Sequence, residues 1–512
     1  MISLKINGQH ISVESGTTIL YAARQLGYDI PALCFNEEVG HFNSCMICLV
    51  RDNKNGKLIP SCSSIVHEGM DITVSDEEIA EARRTGLELL LSDHVGDCDA
   101  PCTIACPAHM EIPKMNRFLS SGNFNKALKI VKQNIALPSV LGYICPAPCE
   151  GACRRKSIDG AVSICLLKRF SGEKGKFIEQ PSVPTGFKVS IIGSGPAGLS
   201  AAYYLQLQGI QTNLYDQSPL AGGMIRINID EGKLPAEVLE HEISVIKNLG
   251  VNFTVNTKVD KLLFKKLLSE NDAVVLATGV ISEEQKEWGI SFNEKGFIAD
   301  NDTFQTNNKK VFAVGNALRS SKLAIRSLAQ GKEAASSIIQ LLNGEKVIGQ
   351  PLKFNSKFSK LVIPEYVQYL KESTDLKRNE PLNGFLNGLS EEEVKNEASR
   401  CMHCDCRKAT NCMLRVYSEV YNAQQKHYYY DERKLVRKIF HDVIVYEPEK
   451  CIKCGICVRI TEKYKEKYGM TYIGRGFDVE IGIPFNESIN EGLREVAEKV
   501  AHTCPTGALS KK

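Results

Sequence analysis

What this chain lacks narrows its class before any motif is read. No apolar run approaches the roughly 18 residues needed to cross a bilayer. The opening stretch MISLKINGQHISVESG has no basic region followed by an apolar segment, so no signal peptide is expected. Charge of one sign is scarce: 63 Lys and Arg against 60 Asp and Glu leave +3 over 512 residues. That balance does not point to nucleic acid or an anionic membrane as the main partner. No repeat of fixed period and no low-complexity tract is present. The expectation is a cytoplasmic chain of three or more domains with no transmembrane segment.

Cysteine, by contrast, is abundant. Nineteen cysteines in a compartment where disulfides rarely persist point to metal binding. They bunch into spaced groups, which argues against a scatter of small buried apolar residues.

Residues 2–14 alternate around Asn7-Gly8, a hairpin signal. Residues 17–27 have helical spacing ended by Gly27, and 77–93 also look helical. A cysteine-rich stretch at 94–165 leads to a Gly/Pro/charge linker at 172–186. From 187 an α/β pattern runs to about 342, a polar stretch follows, and the last block is again cysteine-rich. These shifts give expected boundaries at 1–76, 77–185, 186–345, a connecting arm at 346–395, and 396–512.

The first group is Cys34, Cys45, Cys48 and Cys62. Four thiolates can hold two bridged irons, and also suit zinc. The run IPALC…CMIC…C…EGM resembles the N-terminal domain of the large iron–sulfur subunit of NADH:quinone oxidoreductase and of iron-only hydrogenases. That resemblance implies a β-grasp [2Fe–2S] domain.

The second group holds Cys98, Cys102 and Cys106, then Cys145, Cys149 and Cys153, then Cys165. With His94 it offers eight donors, enough for two [4Fe–4S] clusters. The motifs CDAPCTIACPAHMEIP and CPAPCEGAC resemble the helical dicluster domain of the glutamate synthase small subunit and of dihydropyrimidine dehydrogenase. The resemblance implies interleaved ligands: Cys98, Cys102, Cys153 and His94 for one cluster, and Cys106, Cys145, Cys149 and Cys165 for the other. His94 stands where that family has a cysteine, with His109 as a weaker substitute. Cys165 stands where the family often supplies a non-cysteine ligand.

The third group, Cys401, Cys404, Cys406 and Cys412, lies within twelve residues and could clasp one [4Fe–4S] cluster, with zinc as the alternative. The fourth, Cys451, Cys454, Cys457 and a distant Cys504, resembles a bacterial-type ferredoxin. A two-cluster ferredoxin would carry a further cysteine where this chain has Thr461. One cluster is therefore expected, closed by Cys504 across a 46-residue insertion. All nineteen cysteines are then used, and with His94 the donors fill five four-ligand sites.

Gly193, Gly195 and Gly198 follow an apolar strand and open a helix, the pattern of a dinucleotide-binding turn, and Asp216 ends the next strand. Later segments, AGGMIRINIDEGKLPAEVLEHEI, AVVLATG and KKVFAVGNALRSSKLAIRSLAQGKEAA, resemble the successive FAD-binding segments of the glutamate synthase small subunit. Gly223, Thr278, Gly279 and Gly315 match its glycine-rich contacts. Ser194, Pro196, Ala197, Gly222, Met224, Arg226, Val259, Ala277 and Asn316 complete the implied FAD site, with Asn316 replacing the family's aspartate. The family inserts an NADPH-binding domain after the ATG strand. Here only 16 residues separate Gly279 from Gly296, and no second glycine fingerprint appears.

The resemblance thus implies a multidomain α+β and α/β protein: a β-grasp [2Fe–2S] ferredoxin domain, a helical dicluster domain, a Rossmann-like FAD domain and a C-terminal ferredoxin-like domain. Its expected cofactors are FAD, one [2Fe–2S] and four [4Fe–4S] clusters. It reads as an electron-transfer subunit of a multi-subunit cytoplasmic oxidoreductase. A partner subunit with its own flavin would bind NAD(H), and another would supply the terminal chemistry. No side chain reads as a general base or nucleophile. The alternatives are a self-sufficient NAD(P)H-dependent reductase using its own FAD, and a non-enzymatic wire or redox sensor.

Overall fold

The computed structural model describes residues 1–351, 353–358, 360–428 and 434–512. The chain forms two compact units. One is Met1–Asp99, Lys353–Lys371 and Cys404–Lys512; the other is Ala100–Leu352 and Glu372–His403. The first unit is therefore assembled from both ends of the chain.

In the first unit the N-terminal sheet has the strand order Gln9–Val13, Ile2–Ile6, Asp71–Thr73, Leu49–Asp52, Lys57–Pro60. The opening hairpin turns at Asn7 (φ 46°) and Gly8 (φ 78°), the left-handed pair that a two-residue turn requires. Ile2–Ile6 then runs parallel to Asp71–Thr73, so one strand links a local hairpin to a distant one. Helix Ile19–Gln25 buries Ile19, Leu20, Ala22 and Ala23 against Leu4, Ile6, Val50 and Ile72. This sheet-plus-helix layout is the expected β-grasp arrangement.

Helix Glu77–Ser92 starts at Asp76, whose carboxylate accepts from Ile79 N at 2.9 Å. Buried Arg83 ties this helix to the sheet by donating to Leu49 O (2.7 Å) and Val74 O (2.9 Å). The C-terminal part adds strands Ile439–Phe440, Ile444–Tyr446 and Leu509–Lys511, with helices Ile456–Lys463 and Ala497–Thr503. The 458–503 insertion folds partly as a hairpin, Thr471–Ile473 against Glu480–Gly482. One core serves both ends of the chain: Leu33, Ile47, Leu87 and Leu91 pack with Ile444, Ile456, Ile460 and Val500.

The second unit joins short helices to a five-stranded parallel sheet. The strand order is Asn252–Thr254, Gln211–Tyr215, Lys188–Ile192, Ala273–Leu276, Val311–Ala313. Numbered along the chain, that is 3-2-1-4-5, the half-sheet order of a dinucleotide fold. Its strands KVSII and AVVL, and the edge strand VFA, are buried almost throughout, as covered parallel strands must be. Helix Ala324–Leu342 packs on helix Pro196–Leu207 at Gly331, where a Cβ would lie 2.2 Å from Ala197 O.

Residues 372–403, most of which read as a polar arm, are fixed in this second unit by buried charge. Arg400 and Glu397 are both fully buried and pair at 2.7 Å. Glu397 also accepts from Ser163 N and Asn379 N, each at 2.8 Å. Among the described residues no helix is long and apolar enough to cross a membrane.

Candidate cluster and nucleotide sites

The first cysteine group converges on one loop. Cys34, Cys45, Cys48 and Cys62 are all buried, and Cys48 Sγ lies 3.4 Å from Cys62 Sγ. Asn43 (φ 56°) and Met46 (φ 55°) adopt left-handed backbone so that the loop folds back over its own thiols. The Cys34 thiol is held well below the usual range, first by its hydrogen bond with Cys45 and then by that with Cys62. The four thiols divide: Cys48 is lowered with Cys34, while Cys45 and Cys62, the donors in these bonds, are pushed up; a bound cation would be needed to hold all four as thiolates.

The fourth group also stays together. Cys451, Cys454, Cys457 and Cys504 line one pocket with Tyr446, Ile452, Ile481 and Leu509. The loop turns at Lys453 (φ 55°) and Gly455 (φ 71°), and Lys453 N donates to Cys451 Sγ at 3.3 Å. A Cβ on Gly455 would stand 2.6 Å from the Tyr472 hydroxyl. Burial pushes the Cys451 thiol up to about 12. A pocket walled by four thiols suits a cluster, whose iron would supply the positive charge that these thiolates need. The charge of Cys34 also bears on Cys454, so the first and fourth groups are electrical neighbours within one unit.

In the second unit Cys106, Cys145, Cys149 and Cys165 share one cationic neighbour. Lys168 is buried, its Nζ is 3.8 Å from Cys165 Sγ, and the charges of Cys165, Cys145, Cys149 and Cys106 all act on it. Cys106 and Cys145 each end a short helix, Pro101–Ala105 and Pro138–Ile144. Cys149 sits in Pro148–Gly151 and Cys165 in Ile164–Lys174. Glu150 fixes the last of these by accepting from Cys165 N at 2.9 Å.

The remaining donors are divided between the two units. The boundary between the two compact units falls within the third cysteine group, between His403 and Cys404. Cys401 stays with the second unit, within the field of Cys153, and burial pushes its thiol up to about 11. Cys102, also buried, lies on helix Pro101–Ala105 of that unit.

Cys98 belongs to the first unit, where its charged neighbours are Arg415, Cys406 and Cys412. Cys406 N donates to Cys98 O at 3.0 Å. Arg415 grips Asp99 through both guanidinium ends, at 3.0 and 2.6 Å. A Cβ on Gly507 would meet Cys406 Sγ at 2.2 Å, so the loop CPTGAL needs its glycine there. His94 is in the same unit. Its Nδ1 is enclosed without a hydrogen-bond partner, and burial lowers its pKa to about 4, leaving a neutral imidazole. Lys450 acts on both His94 and Cys406. His109 is exposed on a left-handed turn. Cys404 acts on Lys438 in the first unit.

The nucleotide turn lies at the carboxyl ends of the parallel strands, where such sheets bind ligands. Gly193 has φ 107°, and a Cβ there would lie 2.3 Å from Ala277 O; one on Gly198 would lie 1.9 Å from Gly193 O. Gly195 and Gly279, in contrast, face open space. That opening, at the start of helix Pro196–Leu207, suits a pyrophosphate. Asp216 accepts from Ser194 N (2.7 Å) and Ser194 Oγ (2.5 Å), which ties the strand-end acid to the turn. Gly222 (φ 127°) and Gly223 (φ 54°) bring the next loop against Gly195, and Met224 opens helix Met224–Asn228 beside them. Arg226 pairs with Glu240.

Thr278 follows strand Ala273–Leu276, and Gly315 N donates to Gln330 at 2.9 Å. Asn316 accepts from Ser321 N at 2.9 Å, so its side chain shapes the local loop. Val259 is buried in the sheet's core with Ile192 and Phe264. Between Gly279 and Gly296 the chain makes only a short turn, Glu284–Trp288, and strand Phe292–Asn293, capped by Trp288 stacked on Phe264 at 4.5 Å.

Lys168, Arg415, Lys450 and Gly507 were not singled out from sequence. Lys168 left a signal, three residues after Cys165 in a helical segment.

Known proteins match segment by segment. Residues 1–77 match the 2Fe-2S iron-sulfur cluster binding domain, and 74–178 match dihydropyrimidine dehydrogenase domain II, 4Fe-4S cluster. Residues 191–262 match an NAD(P)-binding Rossmann-like domain, and 441–510 the ferredoxin-like domain of NADH-quinone oxidoreductase subunit 3. The chain is 37% identical over 206 residues to the NADPH-Fe(3+) oxidoreductase subunit beta of Geobacter sulfurreducens, covering 39% of this chain and 30% of that one. It is 35% identical over 226 residues to the NADP(+)-dependent formate dehydrogenase subunit beta of Moorella thermoacetica, covering 39% and 32%. It is 37% identical over 191 residues to the NAD-dependent dihydropyrimidine dehydrogenase subunit PreT of Escherichia coli K12, covering 36% and 46%. The match thus spans less than half the length of each relative. The chain is a mixed α and β protein built of a 2Fe-2S domain, a helical 4Fe-4S domain of the dihydropyrimidine dehydrogenase type, a Rossmann-like domain and a C-terminal ferredoxin-like domain.

Proposed function

We propose that this chain is an electron-transfer subunit of a multi-subunit oxidoreductase, holding FAD, one [2Fe–2S] and four [4Fe–4S] clusters. The relatives it matches are named as subunits of oxidoreductases, which supports the class. The observation that carries the reading is the grouping of mostly buried cysteine thiols in discrete sets, in a chain that also carries a glycine cradle open at Gly195 and Gly279.

The ligand sets that the geometry favours are Cys34, Cys45, Cys48 and Cys62 for the two-iron cluster, and Cys451, Cys454, Cys457 and Cys504 for one four-iron cluster. Cys106, Cys145, Cys149 and Cys165 form another. His94 joins Cys98, Cys406 and Cys412, and the fifth cluster draws on Cys102, Cys153 and Cys401. Cys404 is the remaining thiol. Bound flavin would exchange electrons in pairs, and the clusters would carry them singly. The chain's own residues position, enclose and insulate these groups.

The short 280–295 connection leaves no room for a nicotinamide-binding domain, so NAD(H) would bind a partner that carries its own flavin, and a terminal catalytic subunit would complete the path. The test is anaerobic titration of the purified chain with NADH and NADPH. No rapid flavin bleaching is expected from the chain alone, and bleaching should appear once the partner is added. Rapid bleaching by the single chain would overturn the subunit reading in favour of a self-sufficient reductase.

A further inference from the structure

We propose that Lys168 is the counter-ion of the cluster held by Cys106, Cys145, Cys149 and Cys165, and that its ammonium raises that cluster's reduction potential. The inference rests on the ligand set proposed above and names the residue that sets its electrical surroundings. Lys168 is 3% exposed. Its position three residues after Cys165 on helix Ile164–Lys174 turns both side chains to one face. Its Nζ bonds Cys165 Sγ at 3.8 Å, and the negative charges acting on it are those of Cys165, Cys145, Cys149 and Cys106. Among the described residues it forms no ion pair with a carboxylate.

A buried ammonium without a counter-charge is costly, so the thiolates must serve as that charge. The converse sets the direction of the effect. An added electron makes the cluster more negative beside a fixed positive charge, so the reduced state gains more than the oxidised one. A hydrogen bond to a ligand sulfur acts in the same direction, as a tuning contact around the site.

The test uses the full chain, purified anaerobically, with Lys168→Met and Lys168→Arg. Potentiometric titration followed by electron paramagnetic resonance is read beside iron content. In K168M one four-iron signal should titrate at lower potential while the others stay in place and iron content is unchanged; K168R should stay near the parent value. If K168M loses about four irons per chain and K168R keeps them, the charge is needed to hold the cluster, which also supports the role. Unmoved potentials at full iron content in K168M would overturn the proposal. So would equal effects of K168M and K168R, which would point to packing rather than charge. A failure of the ligand set itself is seen separately: Cys149→Ser would then retain the parent iron content.

Discussion

The C-terminal thiol set and the Cys165 set use the same donors in different surroundings. Cys451, Cys454, Cys457 and Cys504 are walled by Tyr446, Ile452, Ile481 and Leu509, with backbone turns at Lys453 and Gly455. Cys106, Cys145, Cys149 and Cys165 instead have charged neighbours: buried Lys168 on the thiols, half-buried Glu150 on Cys165 N, and Glu397 of the buried Arg400–Glu397 pair on Ser163 N. The first site depends on volume and backbone shape, the second on charge. Two sets of identical ligands can therefore be held at different potentials by their shells alone.

The contrast can be broken at its steepest point by Gly455→Val. A β-branched side chain at φ 71°, with its Cβ 2.6 Å from the Tyr472 hydroxyl, cannot keep the loop. The variant should lose about four irons per chain and leave the Cys165 set's signal intact. Iron analysis with resonance spectra checks this, and retention of all iron would deny the C-terminal set its dependence on shape.

Glu397→Gln addresses the other side. Removing one partner of a fully buried ion pair should destabilise the second unit by about 3–5 kcal/mol, read as a lower denaturant midpoint of that unit. A change well below that would mean the buried charges are not what secures this site.

The smallest effect concerns Glu242, which accepts from Ser139 N (2.7 Å) and Val140 N (3.0 Å) at the start of the helix that ends in Cys145. Burial raises its carboxyl from 4.5 to about 7. The folded state then binds the proton more tightly, so this stability is present below about pH 4.5 and is lost as pH rises towards 7. Glu242→Gln should flatten that part of the stability profile, measured by denaturation across pH. An unchanged slope would remove Glu242 from the account.

Much of the fold was legible because local chemistry and tertiary structure agree. Asn7-Gly8 demands a hairpin turn, and it forms one. Gly193, Gly195 and Gly198 after KVSII announce a parallel sheet, and they sit at its carboxyl edge. Other features escaped. Spacing reports proximity along the backbone: RCMHCDCRKATNC read as one clasp, and the unit boundary that falls inside it, between His403 and Cys404, left no mark in the sequence. Glu397 and Arg400 carry no signal of burial in the sequence, because charged residues usually stay in water, yet both are fully buried. Lys168 escaped for the same reason: a lysine in a helix reads as solvated until its neighbours are known to be thiols.

The central claim is that the thiols of this chain are occupied by iron. Metal analysis of anaerobically prepared full chain tests it most directly. The account predicts about 18 irons per chain, two from one [2Fe–2S] cluster and sixteen from four [4Fe–4S] clusters. Zinc at several equivalents with little iron would contradict it.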